Sequence, residues 1–186
     1  MKQLLPYRGV FPKVHPTAFI APGAVLVGDI EIGEHSTIWY NTAVRADVQS
    51  VRMGKFSNIQ DGSVVHEDSG RGTGNPEGTP TIIGDYVTVG HNVILHACTI
   101  EDYCLVGMGA IVMDAAVIGK GSVIGAGALV TKGTKIPPYS LVLGAPARVV
   151  RTLDEESALA EHLDQAMHYY RLAQEHKQEL AALEAE

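Results

Sequence analysis

Aliphatic residues recur along this chain at intervals of six: Ile20, Leu26, Ile32, Ile38 and Val44, then Met53, Ile59 and Val65. The series resumes at Ile83, Val89 and Leu95 and runs again through Ile100, Val106, Val112, Ile118, Ile124, Val130 and Ile136. Gly often follows the aliphatic residue, and four places after it the side chain is usually small, as at Ala24, Ser36, Ser63, Ala110 and Ser122. A period of six matches neither the period of about 3.6 of an α-helix nor the period of about 2 of a plain strand. It suits a short strand followed by a tight corner. Three such units make a triangular coil, with aliphatic side chains stacked up the axis and Gly at corners where a Cβ would be strained. The spacing predicts an all-β solenoid, a parallel β-helix.

The phase slips in three places: three extra residues between Val44 and Met53, an interruption after Val65, and one missing residue between Leu95 and Ile100. Such slips mark loops leaving the coil. The interruption, 67–80, contains Gly70, Gly72, Gly74, Asn75, Pro76, Gly78 and Pro80 and reads as an exposed loop. Pro137 and Pro138 are expected to end the solenoid, since proline cannot donate to a strand ladder, with 140–151 crossing to a different element. The chain thus divides into a repeat domain over 1–151 and a C-terminal helix over 152–186. Thr152 and Glu155 have capping-box spacing, and Asp154, Glu155 and Glu156 put negative charge on the helix N-terminus. Leu159, Leu163, Met167 or Ala166, Tyr170 and Ala173 then recur at helical spacing, for packing on a flat side of the prism, its own or a neighbour's.

Composition agrees with a narrow aliphatic core. There are 20 Gly and 46% hydrophobic residues but only 6% aromatic ones, so Val, Ile, Leu and Ala must fill the interior. The Gly excess lacks a G-X-Y period, which excludes collagen. The formal charge of −7 is uneven: residues 1–151 carry 12 acids and 12 bases, and residues 152–186 carry 9 acids against Arg171 and Lys177. With no basic patch, neither nucleic acid nor anionic membrane is an expected partner. No apolar run approaches the roughly 20 residues of a membrane span, and the N-terminus lacks a signal-type region, so a cytoplasmic protein is expected. Cys98 and Cys104 match neither a disulfide framework nor a four-cysteine zinc module and read as buried small residues.

Of the eight His, His15, His35, His162 and His176 occupy turn-like or wet helical positions. His66 and His96 differ, each taking the outward slot just after an aliphatic position. They are 30 residues apart, one 18-residue coil plus 12, close to the length of the interruption. With that loop extruded they stack on adjacent strands about 4.8 Å apart, near enough for two imidazoles to converge on one ion through bonds of about 2.0 to 2.1 Å. His91 belongs to the preceding face, so a single subunit does not easily gather all three. Subunits joined about a threefold axis would bring His91 of one chain to His66 and His96 of its neighbour, a homotrimer with interfacial sites. Arg45 and Gln60 also follow aliphatic positions, Asp47 and Asp61 lie close by, and Gln60 and Asp61 share the face of His91. Arg45 with Asp47 or Asp61 reads equally well as an intersubunit salt bridge.

Taken together, Arg45 and Asp47 in "VRADV", "NIQDGSVVH" over 58–66, "VGHNVILHACTI" over 89–100, "VGMGAIVMDAAVIG" over 106–119 and "GAPARVVR" over 144–151 closely resemble the γ-class carbonic anhydrases of the hexapeptide-repeat superfamily. The resemblance spans nearly the whole chain. It implies a left-handed β-helix, a trimer, and a metal held by His66 and His96 of one subunit with His91 of the next. It further implies that Gln60 hydrogen-bonds the metal-bound water, that Arg45 helps hold bicarbonate, and that Asp47 and Asp61 belong to the interfacial polar network. Tyr169, in "AMHYYRL", looks like the family's C-terminal helix tyrosine near the site.

The implied chemistry is reversible hydration of CO2 to bicarbonate by a metal-bound hydroxide. Three neutral imidazoles leave an open fourth position, the pattern of a catalytic zinc, and for carbonic anhydrase, the reference case, bound water has a pKa of about 7. Zinc is the first expectation, while Fe(II) and Co(II) also suit the ligand set. Two features depart from the founding pattern: Val48 stands where a glutamate follows the Asp of the R-x-D motif, and the interruption has no match to the acidic loop carrying a proton-shuttling glutamate. Those departures keep two alternatives in view, a non-catalytic metal-stabilised or bicarbonate-binding trimeric scaffold and a hexapeptide acyltransferase or thioesterase.

Overall fold

The computed structural model describes residues 3–70 and 75–184. Parallel strands wind into a left-handed β-helix of about eight turns, closed by one C-terminal helix. One face stacks 43–46 of strand Ala43–Met53 on Val64–His66, Ile94–His96, Ile111–Val112 and Leu129–Val130. A second face stacks 51–53 on Thr81–Ile83, Thr99–Ile100, Val117–Ile118 and Lys135–Ile136. The third runs from Phe19–Ile20 through Thr37–Ile38, Asn58–Ile59, Thr88–Val89, Leu105–Val106 and Val123–Ile124 to Ser140–Gly144 and Ala147–Thr152. The aliphatic six-residue positions line the axis and all are buried except Ile20, which is half-buried. Side chains such as Ile59, Leu95, Ile100 and Ile118 have no solvent exposure, and each such burial contributes about 1.5–3 kcal/mol.

Glycine serves this coil both at left-handed corners, such as Gly109, Gly127 and Gly133, and by allowing close approach. A Cβ on Gly54 would stand 2.7 Å from the backbone of Gly84, and one on Gly84 would stand 2.8 Å from Asp102 N, although neither glycine has a positive φ. Other left-handed corners are taken by larger residues. Phe56, Tyr86 and Tyr103 have φ of 52°, 56° and 56°, and their rings stack in a column with centroid separations of 5.4 and 4.9 Å. Each corner N–H reaches the coil below, as with Tyr86 N to Lys55 O at 3.0 Å, so stacking and hydrogen bonding offset a left-handed penalty of about 1–2 kcal/mol per residue.

Four expectations need correction. The ladder does not stop at Pro137 and Pro138: Ser140–Gly144 adds in parallel to Val123–Ile124, then pairs antiparallel with Ala147–Thr152. Proline is tolerated because the two residues sit at a corner between strands. The helix, Glu155–Glu184, is capped by Asp154 and not by Thr152, which is still in the hairpin; Asp154 Oδ2 accepts from Ser157 N at 3.0 Å and Ser157 Oγ at 2.8 Å. Its buried stripe is Ala158, His162, Ala166 and Ala173, leaving Leu163 exposed. Small side chains win that stripe because Phe19 and Trp39 already fill the third face beneath Ala173. His162, expected to be wet, is buried with Nδ1 2.6 Å from Tyr103 O, and His176 packs edge-on against Trp39, 5.1 Å between centroids.

The helix therefore docks on the third face of its own chain. No helix among the described residues is long and apolar enough to cross a membrane. Both cysteines are buried, and burial pushes each thiol up to about 12. The interruption after His66 closes on itself at a neck, where Asp68 and Thr79 exchange backbone hydrogen bonds of 3.1 and 2.9 Å. Residues 71–74 of that predicted loop lie outside the described residues.

Candidate metal centre

His66 and His96 end adjacent strands of the first face and are register partners, following Val65 opposite Leu95. Their rings lie 5.2 Å apart, and His66 Nδ1 is 3.2 Å from His96 Nε2. Two nitrogens bound to one tetrahedral ion at about 2.0–2.1 Å stand about 3.3 Å apart, so this pair fits a shared ion with little rearrangement. The outer nitrogen of each ring meets a carboxylate: His66 Nε2 is 3.1 Å from Asp47 Oδ1, and His96 Nδ1 is 2.5 Å from Asp114 Oδ1. Carboxylates behind imidazoles set the tautomer and ring orientation at metal sites, so the donor set is chemically suited to a divalent cation.

Asp47 reaches His66 because the strand carrying it is extruded. Opposite strand Val25–Ile32, the register jumps from Gly28 with Ala46 to Ile30 with Val51, so 47–50 leave the ladder. Arg45 NH1 holds both Asp47 oxygens at 2.6 Å, which is the main reason that the Asp47 carboxyl lies below its ordinary range. That ion pair is within one chain, and Asp61 has a different partner. Glu67, expected in an exposed loop, is instead fully buried: Oε1 accepts from Val48 N at 2.8 Å and Gln49 N at 3.1 Å. Its Oε2 has no hydrogen-bond partner among the described residues and lies 3.8 Å from His66 Nε2.

His91 stands elsewhere, at the corner leaving Thr88–Val89 on the third face, with Nδ1 2.9 Å from Asp61 Oδ2. The close donor group among the described residues is Asp47, His66 and Glu67, without His91 or His96. Gln60 is buried, its amide donating to Asn58 Oδ1 at 3.2 Å. Tyr169 comes from the helix to meet Gln60, packing edge-on against Trp39 at 5.7 Å. Burial, then the charge of Asp61, raises its phenol pKa against an opposing hydrogen bond with Gln60. Gln60, His91 and Tyr169 share a groove of about 370 Å³ floored by Gly90, Gly107 and Gly125.

Sequence reasoning missed Asp114 and Glu67. Asp114 follows His96 by 18 residues, one more than the 17-residue step that pairs Leu95 with Val112, so it lies in the turn just past the strand, where counting along the coil does not place it. For Glu67 the signal was indirect: the slip after Val44 frees backbone N–H groups that need an acceptor.

Comparison with known proteins identifies the class. A family described as "Bacterial transferase hexapeptide (six repeats)" matches residues 97–132, within the β-helix. A solved structure of a hexapeptide transferase family protein from Anaplasma phagocytophilum superposes with a TM-score of 0.83 at 43% identity, covering 92% of this chain and 96% of that one. Among curated relatives, a protein of Methanocaldococcus jannaschii described as "Probable carbonic anhydrase" is 54% identical over 155 residues, covering 83% of this chain and 92% of the relative. "Gamma carbonic anhydrase 1, mitochondrial" of Arabidopsis thaliana is 45% identical over 171 residues, covering 91% of this chain and 61% of the relative. The chain belongs to the γ-class carbonic anhydrase family.

Proposed function

We propose that the protein catalyses reversible hydration of CO2 to bicarbonate at a divalent metal shared between subunits of a homotrimer. His66 and His96 of one subunit and His91 of the next hold the ion, with zinc first and Fe(II) or Co(II) also suited to the ligand set. The observation that carries this reading is the 3.2 Å approach of His66 Nδ1 and His96 Nε2, with each outer nitrogen against a carboxylate. Exposed Val64, Ile94 and Ile111 stack beside the pair on the first face, an aliphatic stripe suited to subunit contact.

Bound there, the metal supplies Lewis acidity that makes a water nucleophile available near neutral pH. The chain's own groups do the rest. Asp47 and Asp114 orient the two imidazoles so that one nitrogen of each faces the other. Arg45 remains half exposed while paired with Asp47, and its guanidinium offers donors to the oxygens of bicarbonate. Gln60, held by Asn58, offers its amide at the inner wall, and Tyr169 offers a neutral hydroxyl, since a phenol ordinarily ionises only near about 10 and burial raises this one further.

Elemental analysis of anaerobically purified protein, with stopped-flow CO2 hydration, tests the proposal. His96→Ala is expected to lose both metal and activity while the trimer persists. Undiminished CO2 hydration by that variant would overturn it.

A further inference from the structure

Glu67 is the one Asp, Glu, Lys or Arg side chain among the described residues that is buried, with 0% exposure. An ionised carboxylate so placed is costly unless it is hydrogen-bonded. Its Oε1 meets that need through Val48 N and Gln49 N, two amides that the register jump of 47–50 removes from the strand ladder. Each side thus satisfies the other, an orphaned pair of donors and a buried acceptor.

The consequence falls on Asp47, the first residue of the extruded segment. Its carboxylate orientation depends on where the following peptides lie, and those are the peptides that Glu67 holds. Gln49 adds a second tie, its side-chain amide donating to Glu77 O at 2.9 Å, while Thr81 Oγ1 donates to His66 O at 2.5 Å. The remaining oxygen, Glu67 Oε2, faces the same ring nitrogen as Asp47, at 3.8 Å. At that distance it makes no hydrogen bond, so the contact of Asp47 Oδ1 at 3.1 Å favours the tautomer with its proton on Nε2, leaving the Nδ1 lone pair directed at His96.

We infer that Glu67 is a positioning residue of the metal centre: by accepting the amides of Val48 and Gln49 it keeps Asp47 against His66 and fixes the ring that presents a donor toward His96. The inference rests on the proposed reading in which His66 holds the metal.

Glu67→Ala, Glu67→Gln, Asp47→Ala and the Glu67→Ala/Asp47→Ala double variant are compared in the full-length protein by amide hydrogen exchange at Val48 and Gln49 and by zinc affinity from chelator competition. Glu67→Ala is expected to expose both amides to exchange and to weaken zinc binding about 10- to 100-fold, the usual effect of losing an outer-shell partner. Glu67→Gln, which keeps an acceptor oxygen, restores amide protection and most of the affinity. The double variant binds zinc about as weakly as Asp47→Ala alone, because Glu67 acts through Asp47. Multiplying losses in the double variant, unchanged zinc affinity despite lost protection, or failure of Glu67→Gln to rescue would each overturn the inference. If Glu67→Ala does not fold, Val48→Pro deletes one donated N–H and is expected to weaken zinc binding in the same sense; unchanged affinity there also overturns it. Zinc retained by His96→Ala would instead refute the three-histidine reading, so the two failures are distinguishable.

Discussion

His96 Nδ1 lies 2.5 Å from Asp114 Oδ1, in the turn that follows the next strand of the same face. The contact holds the ring so that its other nitrogen points at His66, a short charge-assisted link in the sense of an imidazole backed by a carboxylate. Asp114→Ala should therefore weaken zinc binding about 10- to 100-fold while the β-helix circular dichroism is retained. Zinc affinity within twofold of the parent, measured by chelator competition, would contradict this role.

Tyr169 reaches the groove from the helix and touches Gln60 through its hydroxyl. Tyr169→Phe keeps the ring against Trp39 and removes only that hydroxyl. For CO2 hydration, kcat/KM is expected to fall about 2- to 12-fold, the factor for a neutral hydrogen bond of about 0.5–1.5 kcal/mol. An unchanged pH–rate profile and rate would assign the tyrosine to packing alone.

Ile100 has no exposure and sits in register between Ile83 and Ile118 on the axis. Ile100→Ala should lower unfolding free energy by about 2–5 kcal/mol, because rigid coils above and below leave the cavity little room to collapse. Urea denaturation reads this directly; a loss under about 1 kcal/mol would mean that the stack closes over the gap.

Cys98 and Cys104 remain thiols up to about 12 in the folded chain, whereas unfolded cysteine ionises near about 8.5. Because the folded pKa is the higher one, their contribution to stability is intact below the unfolded value and is lost as pH rises from there through the folded pKa. Native protein at pH 8 should resist alkylation at both positions and react on unfolding. Rapid stoichiometric labelling of folded protein would refute the burial argument.

The coil and the pairing of His66 with His96 were legible because both depend on counting. Stacked parallel strands convert sequence spacing into spatial register, and each aliphatic position answers to the same axis. The helix face was less legible, since it depends on the bulk already supplied by Phe19 and Trp39, which sequence spacing within the helix does not reveal. Phe56, Tyr86 and Tyr103 at left-handed corners run against backbone preference and are explained only by their stacking across coils. Glu67 was hidden by its neighbours: a stretch rich in Gly and Pro reads as solvent-facing, although its first residue turns inward to serve a distant bulge.

The neck at Asp68 and Thr79 gives the coil an unusual freedom. A chain excursion that returns to within a hydrogen bond of its own start adds nothing to the pitch, so its length is invisible to the two imidazoles that flank it in sequence. Insertions and deletions beyond the neck should therefore be tolerated as hereditary variation or as deliberate grafts. A recognition peptide or reporter domain inserted there would ride on the outside of the molecule while the spacing of His66 and His96 stayed that of a single coil step.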